Sequence, residues 1–222
     1  MGGFRYIDLG SIAYEEALGL QTDDFQYIID AKSRKEHVVN TLYFCEHEPV
    51  FTIGNHGNDS NLLISETLLK ERGISLYRTN RGGDITYHGP GQITGYPVFD
   101  LEYFKMGLRQ YVETLEEIII HFLSVYDIQG QRMAGATGVW IEPETERARK
   151  IAAIGVKSSR FVTMHGFALN INTDLNYFSL IHPCGFIDKG VTSLAAELRN
   201  AIDIDKCKMQ LVKIFMKFFS QV

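Results

Sequence analysis

A chain of 222 residues is long enough to bury a substantial core, and one domain spanning 1–222 is expected. Its 45% hydrophobic and 12% aromatic content excludes disorder, and its formal net charge of -5 gives the whole chain no attraction for nucleic acid.

In chain order, "AYEEALGLQTDDFQYIIDA" (13–31) places Ala17, Leu20, Ile28 and Ala31 near helical spacing. "TLYFCEHE" and "VFTIG" read as two strands broken at Pro49, which cannot donate to a ladder. A turn, "GNHGND", and a short helix over 65–72 ended by Gly73 lead into the strand "ISLYRT". Beyond a glycine-rich run, Leu108, Val112, Leu115, Ile119, Phe122 and Tyr126 form one apolar stripe, so a core-facing helix is predicted there and His121 on it needs no function. "GVWIE", "KIAAIGVK" and "FVTMHGFALNIN" are strand-like, with a charged turn at 142–149. The C-terminal stretch is amphipathic through Leu211, Ile214, Phe215 and Phe218, with lysines opposite. Strands in the middle flanked by helices predict an α+β domain with a mixed, mostly antiparallel sheet.

Cys45, Cys184 and Cys207 form no CxxC pair and no zinc-type spacing, which fits a reducing compartment. The N-terminus lacks a basic-then-apolar leader, Tyr6 spoils a myristoylation signal, and no apolar run reaches the ~18 residues that span a bilayer. A soluble cytoplasmic protein is expected, without membrane or nucleic-acid partners. "EHE" at 46–48 alternates across a strand and lacks a third ligand nearby, so no metal site is expected. Arg147, Arg149, Lys150, Lys157 and Arg160 form a local basic cluster that suits either a solvated edge or an acidic partner.

The chemistry concentrates in two places. "RGGDITYHGPGQITGYPVFDL" (81–101) carries five glycines and two prolines beside Arg81, Asp84, Tyr87, His88 and Gln92. This density suits a surface shaped for a ligand better than a structural strand. "GPGQITG" matches neither GxxxxGK[ST] nor a GxGxxG opening a helix, so it is not a phosphate loop. Glycines 82, 83, 89, 91 and 95 would admit a ligand close to the backbone, with Arg81 and His88 at the rim. In "IHPCGF", Cys184 sits between Pro183 and Gly185 on a tight turn that suits a nucleophile. A thiol attacks as the thiolate and needs a cation, a base or a helix N-terminus to lower its pKa from about 8.5. His88, His165, His182 and Lys150, at the edge of an apolar strand, are all candidates for that partner, and spacing does not choose among them.

Taken together, "RGGDITYHGPGQITGYPVFDL", "KIAAIGVK", "HGFALNIN" and "PCGF" followed by "GVTSL" resemble, in order and spacing, the lipoyl(octanoyl) transferases of the LipB family, from about residue 41 to 198. The resemblance implies the biotin/lipoate protein ligase fold, related to class II aminoacyl-tRNA synthetases. It also implies transfer of an octanoyl group from acyl carrier protein to a lysine of lipoyl domains in 2-oxoacid dehydrogenases or the glycine-cleavage H protein. No cofactor is implied, since the acyl group arrives on the carrier's phosphopantetheine arm. Carried over by position, Cys184 takes the acyl group as a thioester and Lys150 lowers the pKa of the thiol. Substrate-binding roles fall to Arg81, Gly82, Gly83, Asp84, Ile85, Thr86, Tyr87 and His88, to Ala153, Ile154 and Gly155, and to Gly166, Phe167 and Ala168, with glycines 82, 83 and 155 lining an acyl slot. The alternative is an ATP-dependent lipoate or biotin ligase of the same fold, which needs no cysteine.

Overall fold

The computed structural model describes residues 3–182 and 189–219. Within them an eight-stranded sheet runs in the order β1 (Arg5–Ile12), β2 (Thr41–His47), β6 (Gln92–Val98), β10 (Val162–Asn170), β9 (Arg149–Ser159), β8 (Ala136–Ile141) and β7 (Gln131–Met133), with β11 (Gly190–Val191) joined to β9. β1 and β11 pair in parallel and the other neighbours are antiparallel, so the mixed, mostly antiparallel sheet expected from the sequence is present. A second sheet of three strands has the order β4 (Ser75–Arg78), β3 (Val50–Ile53) and β5 (Ile85–His88). Pro49 divides β2 from β3, as its missing N–H predicts, and sends them into different sheets.

Alternation along β6 explains how the large sheet carries a core on one face and a cavity on the other. Ile93 points into the main core with Phe44, Phe167 and Leu169, while Gln92, Thr94 and Tyr96 line the cavity on the opposite face. Two helices, α3 (Leu108–Ser124) and α5 (Ile204–Phe219), cover the core face, and α1 (Tyr14–Ser33) covers the other through Ala17, Phe25 and Ile28 against Tyr43, Val98 and Met164. The short helix α2 (Glu66–Glu71) is capped by Ser65, whose hydroxyl accepts from Leu68 N, and it packs Leu69 into a third cluster under the small sheet.

Several expectations shift by a fraction of a turn. Tyr111 and Ile118, rather than Leu108, complete the buried stripe of α3, and Leu108 is 42% exposed. Leu20 faces outward on α1, and Phe218 gives way to Phe219 in the core. Lys208 is not on a solvated face of α5: it is buried and donates to both carboxylate oxygens of Asp8 at 3.2 Å. β1 carried no sequence signal because Gly10, at φ +62°, breaks its alternation and shifts its register between Asp8 and Ser11. No described helix is long and apolar enough to cross a membrane.

Candidate active site

The glycine-rich run folds as two strands, β5 and β6, preceded by a loop, so the expectation that it avoids strand structure is corrected. The loop over 81–84 is tied on both sides. Asn55 N and His56 N donate to Arg81 O and Gly83 O from the end of β3, and Gly82 N donates 2.9 Å to Val156 O of β9. A Cβ at Gly155 would lie 2.6 Å from Gly82 O, and Gly83 holds φ +86°, so glycine is required at both places for the loop to lie flat on β9.

Arg81 is buried. Its guanidinium donates to Thr52 O, Thr52 Oγ1 and Gly82 O, so it fixes the loop rather than standing at a rim as the sequence suggested. Asp84 accepts from Ile85 N, Asn58 N and Asn61 Nδ2, which anchors the 54–61 loop. Tyr87 does not line the cavity: it points to the other side of β5 and stacks on Tyr177 with ring centres 4.5 Å apart. The remaining segment residues, Gly82, Gly83, Ile85, Thr86 and His88, line a cavity of about 360 Å³ together with Arg81 and Asp84.

The two other motif segments are brought face to face. Ala153 pairs with Ala168, Ile154 with Phe167 and Gly155 with Gly166 across β9 and β10, and all six line the same cavity. The small side chains of Ala153 and Ala168 continue in register to Thr94, leaving a low floor across three strands. Tyr14, Thr94, Tyr96, Val112, Trp140 and Asn170 also line the cavity; none of them was given a substrate-binding role from sequence, and Val112 was expected in the core-facing stripe of α3. Only tertiary pairing joins them.

Each histidine beside the cavity is neutral. His88 Nδ1 lies 2.9 Å from Gln92 Oε1, while Gln92 Nε2 donates to Tyr87 O and Asn170 Oδ1, so the proton of His88 sits on Nδ1. Complete burial, with His47 and Arg81 nearby, holds its pKa well below 6.5. His165 is in the left-handed region at φ +59°, contacts Asn80 Oδ1 through Nε2 at 2.9 Å, and is pushed down to about 3 by burial, Arg81 and Lys157. Above about pH 6.5 neither state of the chain protonates it. As the pH falls from there toward 3, the unfolded chain binds a proton that the folded chain refuses, so stability is lost. His165→Asn, which tolerates the left-handed backbone, should flatten the fall of urea-unfolding free energy by up to about 1.4 kcal/mol per pH unit in that window. An unchanged slope would mean that His165 protonates in the folded protein.

The two cavity-lining histidines are neutral and supply no cation, and His182 does not line the cavity; among the described residues the cations that do are Arg81, Lys150 and Lys189. Lys150 is the one the sequence offered as a partner for the thiol. It is only 8% exposed, lines the cavity, and holds its Nζ 4.7 Å from the centre of the Trp140 ring. The basic cluster is accordingly dispersed: Arg147 pairs with Glu142, Arg149 with Glu197 and Glu142, and Lys157 lies over Phe25. Cys184, with the rest of its "PCGF" motif, lies outside the described residues. Later in the chain β11 lines the cavity, where Val191 pairs directly with Lys150 and Thr192 N donates to Lys150 O at 2.9 Å. Among the described residues no group of His, Cys, Asp or Glu is arranged to hold a metal.

The model of the lipoyl protein ligase A/B catalytic domain matches residues 14–216. An octanoyltransferase from Parabacteroides distasonis is 66% identical over 99% of this chain and 100% of its own length. Among solved structures, the bipartite lipoate protein ligase of Thermoplasma acidophilum superposes with a TM-score of 0.71 at 17% identity, covering 98% of this chain and 84% of that one. The apo biotin protein ligase of Aquifex aeolicus gives 0.52 at 11% identity, covering 97% and 68%. These structures share the fold, and the sequence relationship narrows the family: the chain belongs to the lipoyl protein ligase A/B catalytic-domain family, on its octanoyltransferase (LipB) branch.

Proposed function

We propose that this chain, acting as one catalytic domain, transfers an octanoyl group from acyl carrier protein to the ε-amine of a lipoyl-domain lysine through a thioester on Cys184. The observation that carries this reading is a buried lysine in the wall of the motif-lined cavity, on a strand paired with the segment that follows "PCGF".

Lys150 acts as the cation that favours the Cys184 thiolate. The thiolate attacks the carrier thioester and forms the acyl-cysteine, while the expelled phosphopantetheine sulfur takes the proton of Lys150 and leaves as a thiol, so the lysine is left neutral. The lipoyl-domain amine then attacks the acyl-cysteine, Lys150 takes its proton, and the Cys184 thiolate leaves. The octanoyl chain occupies the slot floored by Ala153 and Ala168, where each buried methylene is worth about 0.8 kcal/mol, and the length of that slot limits the chain it accepts. A volume of about 360 Å³ stands at the small end of ligand pockets, as one acyl chain requires.

A thioester donor and an amide product make the reaction downhill without a nucleotide. The purified protein should modify a lipoyl domain with octanoyl-acyl carrier protein alone and do nothing with free octanoate and ATP. Modification only in the second mixture would assign the chain to the ligase chemistry of its family instead.

A further inference from the structure

Lys150 reaches the cavity because β9 carries one extra residue. Val139 pairs with Ala152, but Trp140 pairs with Lys150 and Ile141 with Arg149, so Ile151 and Ala152 together oppose one position of β8. Both Ile151 and Ala152 enter the main core. Strict alternation would send Lys150, two residues before Ala152, to the same core face. The bulge turns it over to the cavity and onto the Trp140 ring.

The neighbouring strand is held at this point by a buried carboxylate that belongs to none of the motifs. Glu116 of α3 is 6% exposed, and its Oε1 accepts from Gly138 N at 2.9 Å. Its other oxygen accepts from Arg132 Nε at 2.9 Å. Gly138 has φ +122°, and a Cβ there would lie 2.5 Å from Ala152 O, so β8 is pressed against the bulge itself. A buried carboxylate is costly unless its oxygens are occupied, and here one is committed to a strand amide beside the bulge.

We propose that Glu116 is a positioning residue for Lys150: by pinning Gly138 it holds the β8–β9 bulge that aims the lysine into the cavity. This rests on Lys150 being the partner of Cys184 and adds a residue of α3 that belongs to none of the sequence motifs. Other charges near Lys150 have their own anchors or places: Arg149 pairs with Glu197 and Glu142, while Arg81, Asp84 and Lys189 line the same cavity.

The test compares wild type, Lys150→Met, Glu116→Ala, Glu116→Gln and the Glu116→Ala/Lys150→Met double variant. Octanoyl transfer from octanoyl-acyl carrier protein and the pH profile of Cys184 alkylation by iodoacetamide are measured on each. Misplacing Lys150 by about 1 Å should lower kcat of Glu116→Ala roughly 10- to 100-fold with KM little changed, and move its alkylation profile toward that of Lys150→Met. Glu116→Gln keeps an oxygen for Gly138 N and should stay near wild type, and the double variant should be no worse than Lys150→Met alone. A shifted profile in Lys150→Met with a wild-type profile in Glu116→Ala would overturn the clamp while leaving Lys150 its role. Losses that multiply in the double variant would also overturn it. A wild-type profile in Lys150→Met would remove the role of Lys150 and the clamp with it. If Glu116→Ala loses the native circular dichroism spectrum, Glu116→Asp, which withdraws the carboxylate by one methylene, is read by the same criteria.

Discussion

Replacing Cys184 by alanine should lower octanoyl transfer by about four orders of magnitude or more, the loss expected if Cys184 is the nucleophile of a covalent mechanism. Without the thiol, the lipoyl-domain lysine must attack the carrier thioester directly. Its amine has an ordinary pKa near 10.4, so only about one molecule in a thousand or fewer is neutral at pH 7. The cysteine avoids this at the first step, because a thiolate is the attacking group and needs no prior loss of a proton from a lysine. Rates are read by mass spectrometry of the acceptor domain under single-turnover conditions. Transfer within tenfold of wild type would mean that the octanoyl group passes directly between the two protein substrates.

Lys150→Met should have the second largest effect, a loss of roughly 10²- to 10⁴-fold in overall transfer, the range spanned by a general acid–base residue. Three polar neighbours in the cavity are poorly placed to substitute for it. His88 and His165 are held neutral, and the guanidinium of Arg81 is turned to Thr52 and Gly82. The alkylation profile of Cys184 in this variant should rise to that of an ordinary thiol, about 8.5, whereas wild type should react at lower pH. Lys150→Arg separates the two roles, because a guanidinium keeps its charge but cannot accept a proton. Acylation of Cys184 should survive in that variant and transfer to the lipoyl domain should not. An unchanged alkylation profile in Lys150→Met would contradict the proposed thiolate stabilisation.

The sequence displays the fold best where one signal dominates. Pro49 marks a strand break because it lacks an N–H, and the long apolar repeat of α3 announces a core helix even though the buried stripe sits slightly around from the predicted one. β1 is illegible for the opposite reason: a bulge at Gly10 destroys the alternation that identifies a strand. The glycine-rich run misled in one respect. Its turn residues suggested irregular structure, but Ile85, Tyr87, Ile93 and Tyr96 are strand residues, and glycines 95 and 166 serve close approach between neighbouring strands.

The candidate site was legible as motifs and illegible as geometry. Three motif segments line one cavity, yet nothing in "GFAL" or "AAIG" says that they are antiparallel partners. Tyr87, conspicuous in sequence, packs away from the cavity, whereas Trp140 beneath Lys150 belongs to no motif. Glu116 could not be found from sequence at all, since a lone glutamate on an amphipathic helix normally marks the solvated face. Its partner is the backbone N–H of Gly138, one residue before the bulge, and bulges follow from the pairing of strands rather than from the local residues.

Intact-protein mass spectrometry tests the central claim most directly. Wild type and Cys184→Ala are mixed with octanoyl-acyl carrier protein, and a lipoyl domain is then added. The account predicts a hydroxylamine-labile octanoyl adduct on wild type alone, which disappears as the acceptor lysine gains the same mass. Equal modification of the acceptor by both proteins, with no adduct on either, would contradict it.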